Sequence, residues 1–145
     1  MNTKTISFIA LGIAFVGIII FIQKSFIISK NPVTIIIQLC AIALMIWARI
    51  TFGMRSFHAG ANTTEGKLVT NGPYRWLRHP IYAALIYFFG ACVISFHEPL
   101  AIGAYLLIIG GLLVRMILEE KALTSAYADY GDYRRRTKRI IPYVF

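Results

Sequence analysis

The sequence predicts an all-α, polytopic membrane protein with four transmembrane helices in two hairpins and a cytoplasmic, amphipathic C-terminal segment. Hydrophobic residues make up 58% of its 145 residues and charged residues only 14%, and the mean hydropathy is +0.68. Soluble domains are about half apolar and about a quarter charged. Four apolar stretches divide the chain, and basic residues collect between them. The length predicts a single domain over residues 1–145.

The four apolar stretches occupy residues 6–22, 33–48, 81–96 and 100–118. A spanning helix needs about 20 mostly apolar residues, so the two inner stretches must extend into their flanks. The first stretch is followed by no small-residue cleavage site, which favours a retained helix over a signal peptide. Asn31-Pro32 and Pro99 mark turns and helix starts, so the chain predicts an N-terminal hairpin within residues 1–48 and a second hairpin after residue 80.

The distribution of basic residues predicts the orientation. With both termini and the central loop on one side, 13 of the 15 Lys and Arg residues share that side, and only Lys24 and Lys30 fall on the other. Positive residues concentrate in cytoplasmic loops, so the termini and the active site are predicted to be cytoplasmic. This distribution accounts for the net charge of +9, so we do not expect nucleic-acid binding. The sequence also lacks a metal-ligand spacing or a disulfide framework.

Arg115, Glu119 and Glu120 interrupt the end of the last apolar stretch. Ionisable groups near membrane depth are costly and normally face a partner or a polar cavity. Arg115 and Glu119 are four residues apart, so they share a helix face and can pair. The spacing predicts a binding pocket or, alternatively, an interfacial ion pair that only ends the helix.

The segment of residues 71–82 leads directly into the third apolar stretch. Pro80 suits a first helical turn, which predicts a helix N-terminus at about His79. Such an end offers free N–H groups and a partial positive charge to an anion. His79 and Tyr82 are three residues apart and would share a face. An aromatic and basic belt at headgroup depth is the alternative interpretation.

The tail carries Tyr127, Tyr130 and Tyr133 at spacings of three, followed by a basic run over residues 134–139. This spacing is typical of an amphipathic helix that lies along the membrane surface. The basic run would attract anionic lipid at about 1 kcal/mol per charge.

Together these motifs resemble the isoprenylcysteine carboxyl methyltransferase and phospholipid methyltransferase superfamily of integral-membrane enzymes. Its members carry Gly-x-Tyr-x-x-x-Arg-His-Pro-x-Tyr before a helix, then Glu-Glu, spaced tyrosines and an Arg-x-x-x-x-Pro ending. The first motif stands here at residues 72–82, the Glu-Glu pair at Glu119-Glu120 and the ending within residues 136–142. The resemblance covers residues 66–142, which would form the cofactor-binding core. The first two helices match the superfamily only in hydrophobic character.

The resemblance implies S-adenosylmethionine as cofactor, the lipid bilayer as surroundings and a lipophilic small molecule or lipid as substrate. It implies a substrate-orienting role for Arg115. The residues that it implicates in cofactor binding are Gly66, Lys67, Leu68, Val69, Tyr74, His79, Pro80, Ile81, Tyr82 and Glu119. Two positions depart from the superfamily pattern, because Ala84 and Ala128 stand where glycine is usual.

The function predicted from the resemblance is methyl transfer to a lipophilic acceptor, as in isoprenylcysteine carboxyl O-methylation. Such transfer is an in-line displacement in which the site positions donor and acceptor and excludes water. Three alternatives stay open: phospholipid N-methylation, an NADPH-dependent membrane reductase with a related C-terminal helix arrangement, and a non-catalytic membrane scaffold.

Overall fold

The computed structural model describes residues 2–53 and 68–144, and over these residues the fold is all helical. The elements are α1 (Thr3–Gln23), α2 (Pro32–Phe52), a short 3₁₀ helix (Gly72–Arg75), α3 (Pro80–Phe96), α4 (Pro99–Ala126) and α5 (Tyr130–Arg136). The described residues contain no strand, and the one bridge of β type among them joins Leu77 to Lys138. The predicted all-α class is confirmed.

The helix starts follow from residues that the sequence places there. Pro32, Pro80 and Pro99 occupy the first positions of α2, α3 and α4, where a missing N–H costs nothing. Asn31 also caps α2, because its side-chain oxygen accepts from the Val33 N–H at 2.9 Å. α3 ends at His97, whose left-handed backbone conformation (φ 55°) stops the helix. The predicted boundaries of the first three helices are therefore correct to within a few residues.

Three of the described helices, α1, α2 and α4, are long and apolar enough to cross a membrane. α3 is equally apolar but has 17 residues, which correspond to about 26 Å of helix against a hydrocarbon core of about 30 Å. Large apolar side chains are exposed on the outer faces of the long helices. A soluble protein would not expose such surface, so the chain is an integral membrane protein.

The closest packing joins α1 to α4 and α2 to α3, so each member of the predicted N-terminal hairpin packs chiefly against a helix of the second pair. Small residues allow the antiparallel α1 and α4 to approach. A Cβ atom built on Gly17 would lie 2.5 Å from the Ala104 carbonyl oxygen, and one built on Gly111 would lie 2.9 Å from the Ala14 Cβ. Close backbone approach over small residues is a common way for helices to associate in lipid.

α4 is longer than its apolar stretch. The prediction ended it at residue 118, whereas the helix continues to Ala126 and has 28 residues. Lys121, Ala122 and Leu123 are good helix formers, so the backbone continues after the apolar run has ended. Glu119 and Glu120 therefore lie within a helix and not at the start of a loose tail.

The C-terminal tail folds back onto the protein. α5 has seven residues, and Tyr130 and Tyr133 on it are buried. The Tyr133 hydroxyl donates to the Tyr74 carbonyl oxygen at 2.8 Å. Burial, with the nearby Glu120 charge, raises the pKa of Tyr130 to about 12. Tyr130 and Tyr133 therefore pack into the protein. Their spacing alone had predicted an amphipathic helix along the membrane surface.

Candidate functional site

The start of α3 and the end of α4 bring three polar side chains into mutual contact. Glu119 Oε1 accepts from Arg115 Nη2 at 2.8 Å and from the Tyr82 hydroxyl at 2.5 Å. Arg115 Nε also donates to the Tyr82 hydroxyl oxygen at 3.0 Å. The predicted pairing of Arg115 with Glu119 is thus present, and a residue from the neighbouring helix completes a closed triangle.

His79 lies beside this triangle. Its ring stacks on that of Tyr82, with centroids 5.6 Å apart and planes inclined by 8°, so the predicted shared face is confirmed. His79 Nδ1 lies 3.6 Å from Glu119 Oε2. Its Nε2 atom is buried 3.4 Å from Glu120 Oε1, within ion-pair distance of that carboxylate. The imidazole therefore lies within reach of both glutamates, Glu119 and Glu120.

Within the cluster, Glu119 is more exposed than Arg115 and His79. The Arg115 and His79 side chains are each 5% exposed, whereas that of Glu119 is 21% exposed. A carboxylate at membrane depth needs a compensating charge, and Arg115 supplies it. We define His79, Tyr82, Arg115 and Glu119 as the Glu119 cluster.

Glu120 forms a second cluster on the adjoining side of α4. Its carboxylate accepts from Arg78 Nε at 2.9 Å and from Arg139 Nε and Nη2 at 3.1 and 3.0 Å. Arg78 also donates to the carbonyl oxygens of Arg134 and Thr137 at 3.0 and 2.5 Å. The sequence identified these residues only as parts of motifs, because the contacts join segments up to 59 residues apart. Glu120 therefore ties the tail to the segment that presents His79.

Tyr74, another predicted cofactor-binding residue, lies on the short 3₁₀ helix before His79. It is buried, and its ring lies 5.3 Å from that of Phe52 on α2. Burial and then the Glu119 charge hold the pKa of Tyr74 above its usual range, while the charge of Arg49 lowers it. Tyr74 is therefore within electrostatic reach of Glu119. Arg49 on α2 was not singled out from the sequence, because the distribution of basic residues across the membrane already accounted for a cation at this helix end.

The remaining residues predicted to bind the cofactor are not part of the Glu119 cluster. Pro80 is buried and Ile81 half-buried in the first turn of α3, and Leu68 and Val69 are half-buried before the 3₁₀ helix. The hydrogen bonds described above for the Glu119 cluster involve none of these four residues. Gly66 and Lys67 lie outside the described residues. Of the two departures from glycine, Ala84 is buried in α3 whereas Ala128 is exposed and meets no crowding.

The described residues contain no group of three His, Cys, Asp or Glu side chains that could hold a metal ion. Cys40 and Cys92 are free thiols. The Glu119 cluster instead offers an accessible carboxylate, an aromatic pair, a guanidinium and an imidazole. These groups can bind a cation or hydroxyl groups and can orient an anion.

Fold and site together define a helical membrane protein with a polar site of paired charges between the start of α3 and the last turns of α4. A sequence profile of the isoprenylcysteine carboxyl methyltransferase (ICMT) family matches residues 32–125, well over half of the chain. The chain therefore belongs to the ICMT family, and the resemblance inferred from its motifs is confirmed. The matched region starts in α2 and contains the whole Glu119 cluster but stops before α5.

Three curated relatives are each 35% identical to parts of the chain. Methanethiol S-methyltransferase of Mycobacterium tuberculosis aligns over 98 residues, 63% of this chain and 38% of the relative. Cobalt-zinc-cadmium resistance protein CzcN of Cupriavidus metallidurans aligns over 78 residues, 52% of this chain and 35% of the relative. Protein-S-isoprenylcysteine O-methyltransferase of Tribolium castaneum aligns over 84 residues, 57% of this chain and 30% of the relative.

The aligned part of the chain thus corresponds to about a third of the length of each of these relatives. No solved structure matches the chain significantly.

Proposed function

We propose that this protein transfers a methyl group from S-adenosylmethionine to a lipophilic acceptor within the membrane. The observation that carries the proposal is the Glu119 cluster. It joins His79 and Tyr82 of one sequence motif to Arg115 and Glu119 of another, inside the region that the family profile matches. The motifs are distant in sequence, and their convergence on one carboxylate supports a shared site. A surface ion pair would not bury a histidine beside it.

The chain's own groups fit this cofactor. Its ribose hydroxyls and amino group need an acceptor, which the accessible Glu119 carboxylate provides, and its cationic centres suit the stacked faces of His79 and Tyr82. The N–H groups of Ile81 and Tyr82 precede the first intrahelical bond of α3, donated by Ala83 to His79, and suit a carboxylate. When bound, S-adenosylmethionine supplies an electrophilic methyl group. We include Tyr74, Pro80 and residues 66–69 in the same pocket.

Arg115 is proposed to orient the acceptor. Its guanidinium is fixed by Tyr82 and Glu119, so it is held in one direction at the boundary of the cluster. A carboxylate acceptor would pair with it and would need no general base. An amine or thiol acceptor would need to lose a proton, and His79 or a tyrosine of the site is the candidate base. The relatives' names include both an S- and an O-methyltransferase. Activity assays of this protein should therefore vary the charge and size of the acceptor.

We propose a topology of four spanning helices with both termini and the Glu119 cluster on the cytoplasmic side. α3 begins at the cluster, and the last turns of α4 return to it. This arrangement agrees with two antiparallel helices that each cross the membrane. The proposed catalytic core is residues 66–142, with residues 1–48 as its membrane support.

Calorimetry in detergent tests the cofactor. S-adenosylmethionine and S-adenosylhomocysteine should bind with a dissociation constant no weaker than about millimolar. Glu119→Gln should weaken this binding, whereas Arg115→Ala should mainly lower turnover of a lipophilic carboxylate, amine or thiol acceptor. The double variant should deviate from additivity because the two side chains are in contact. Glu98→Gln, at the opposite end of α4, is the matched control.

The outcome that contradicts the proposal is well-folded wild-type protein that binds neither adenosyl compound. Saturable binding of NADPH in its place would favour the reductase. Binding of no cofactor, with a monodisperse Arg115→Ala/Glu119→Gln variant, would favour a scaffold.

A further inference from the structure

A second concave site lies on the other side of α4 from the Glu119 cluster. It is an open cavity of about 350 Å³ between the last turns of α4 and the tail. We call it the basic groove, and its lining residues are Ile117, Glu120, Lys121, Thr124, Ser125, Arg134 and Arg139. His79, Tyr82, Arg115 and Glu119 do not line it. The proposed methyl-transfer site therefore leaves this groove unexplained.

The walls of the basic groove are fixed relative to one another. Arg139 on the tail binds both carboxylate oxygens of Glu120 on α4, at 3.1 and 3.0 Å. Arg78 holds the tail from the other side through the carbonyl oxygens of Arg134 and Thr137. A site whose walls are already held in place loses little conformational freedom when a ligand binds.

The groove carries an excess of positive charge. Its one carboxylate, Glu120, is already matched by Arg78 and Arg139. Lys121 and Arg134 add two further cations, and neither forms an ion pair within residues 2–53 and 68–144. The Thr124 and Ser125 hydroxyls beside them already donate to the Glu120 and Lys121 carbonyl oxygens, at 2.7 and 3.2 Å. The cations are therefore the groups of this concave surface that can bind phosphate oxygens.

An apolar strip leads along α4 into the groove. Leu107, Val114 and Ile117 are exposed, at spacings of seven and three that keep them on one face of the helix. Ile117, 57% exposed, lines the groove itself and lies one turn before Lys121. This order, apolar within the membrane and basic at its surface, matches an acyl chain that continues into a charged headgroup. It favours a lipid over a free anion.

We propose that the basic groove binds the phosphate of an anionic phospholipid, with an acyl chain along the exposed strip of α4. Lys121 and Arg134 contact the phosphate, and Arg139 supplies the positive back wall. The site is separate from the methyl-transfer site and does not depend on that activity. The spacing of charges in the tail had predicted a diffuse attraction to anionic lipid, whereas the structure assigns it to one groove.

Native mass spectrometry of the full chain in detergent tests the proposal, with phosphatidylglycerol, phosphatidylcholine and inorganic phosphate as separate probes. The wild type should retain phosphatidylglycerol in preference to phosphatidylcholine. Lys121→Gln and Arg134→Gln should each weaken this binding about fivefold, the effect expected for one basic group at a membrane surface. Lys121→Arg should keep the affinity. Both residues are exposed, so these variants should stay folded.

Arg135→Gln is the matched control, because Arg135 is an exposed cation on the same short helix that does not line the groove. Equal weakening by Arg135→Gln would mean general surface attraction and would overturn the proposal. Displacement of the lipid by inorganic phosphate at similar concentration would identify a free-anion site and would also overturn it. The absence of any preference for phosphatidylglycerol would do the same.

Discussion

Glu120→Gln should destabilise the protein strongly, because this carboxylate neutralises cations from two separate segments. The amide keeps the size of the side chain but removes the charge. Arg78, whose side chain is 9% exposed, would then be buried without its counter-charge. Arg139, at 26% exposed, would lose its ion pair with Glu120 but can turn toward water. The loss of stability therefore comes mainly from the uncompensated charge of Arg78 and from weaker docking of the tail.

The expected size follows from the burial of the pair. Removing one partner of a buried ion pair costs about 3–5 kcal/mol, since the remaining charge is left uncompensated. Arg78 keeps its bonds to the Arg134 and Thr137 carbonyl oxygens, and Arg139 can be hydrated. We therefore expect the lower end, about 3 kcal/mol of the free energy of unfolding.

Denaturant unfolding in detergent measures this loss, and limited proteolysis reports whether the tail is released first. Asp132→Asn is the matched control, because Asp132 pairs with Arg135 in the same tail but both side chains are exposed. An exposed pair contributes about 0–1 kcal/mol. Glu120→Gln with no greater loss than Asp132→Asn, and with no earlier cleavage of the tail, would refute the reasoning.

Three further predictions concern packing, pH and topology. Gly111→Ala should destabilise the α1–α4 contact by about 1–3 kcal/mol through overpacking, whereas Gly110→Ala, with open space at its Cβ, should be neutral or mildly stabilising in thermal unfolding. Raising pH above 10 should lower stability, because the folded state holds the Tyr130 proton until about pH 12; the loss should be smaller in Tyr130→Phe. Reporter fusions after Glu98 and after Phe145 should lie on opposite sides of the membrane, and the same side would exclude the proposed topology.

Features set by local sequence were predictable. Proline at the first helical position and apolar runs located α1, α2 and α3, and spacings of four and three predicted the contacts of Arg115 with Glu119 and of His79 with Tyr82. Such pairs depend only on the geometry of one helix. The end of α4 was predicted too early, since hydropathy falls after residue 118 although helix propensity does not.

Features that depend on which helices meet were not predictable. In a membrane protein the lipid-facing and protein-facing sides of a helix are both apolar, so hydrophobic periodicity does not show the partner. For the α1–α4 contact, the sequence signal that could have been used is the set of small residues Ala10, Ala14 and Gly17. The contacts of Glu120 with Arg78 and Arg139 needed the fold, because the spacing in sequence does not show that the tail returns to α3.

The two adjacent glutamates explain how tail and site are linked. Neighbouring residues on a helix point about 100° apart, so Glu119 faces Arg115 and Tyr82 while Glu120 faces Arg78 and Arg139. His79 lies between them, 3.6 Å from one carboxylate and 3.4 Å from the other. Its backbone N–H also donates to the Arg139 carbonyl oxygen at 3.0 Å. Docking of the tail therefore fixes both the charge around His79 and the position of its backbone, so a change in the tail can reach the Glu119 cluster through this residue.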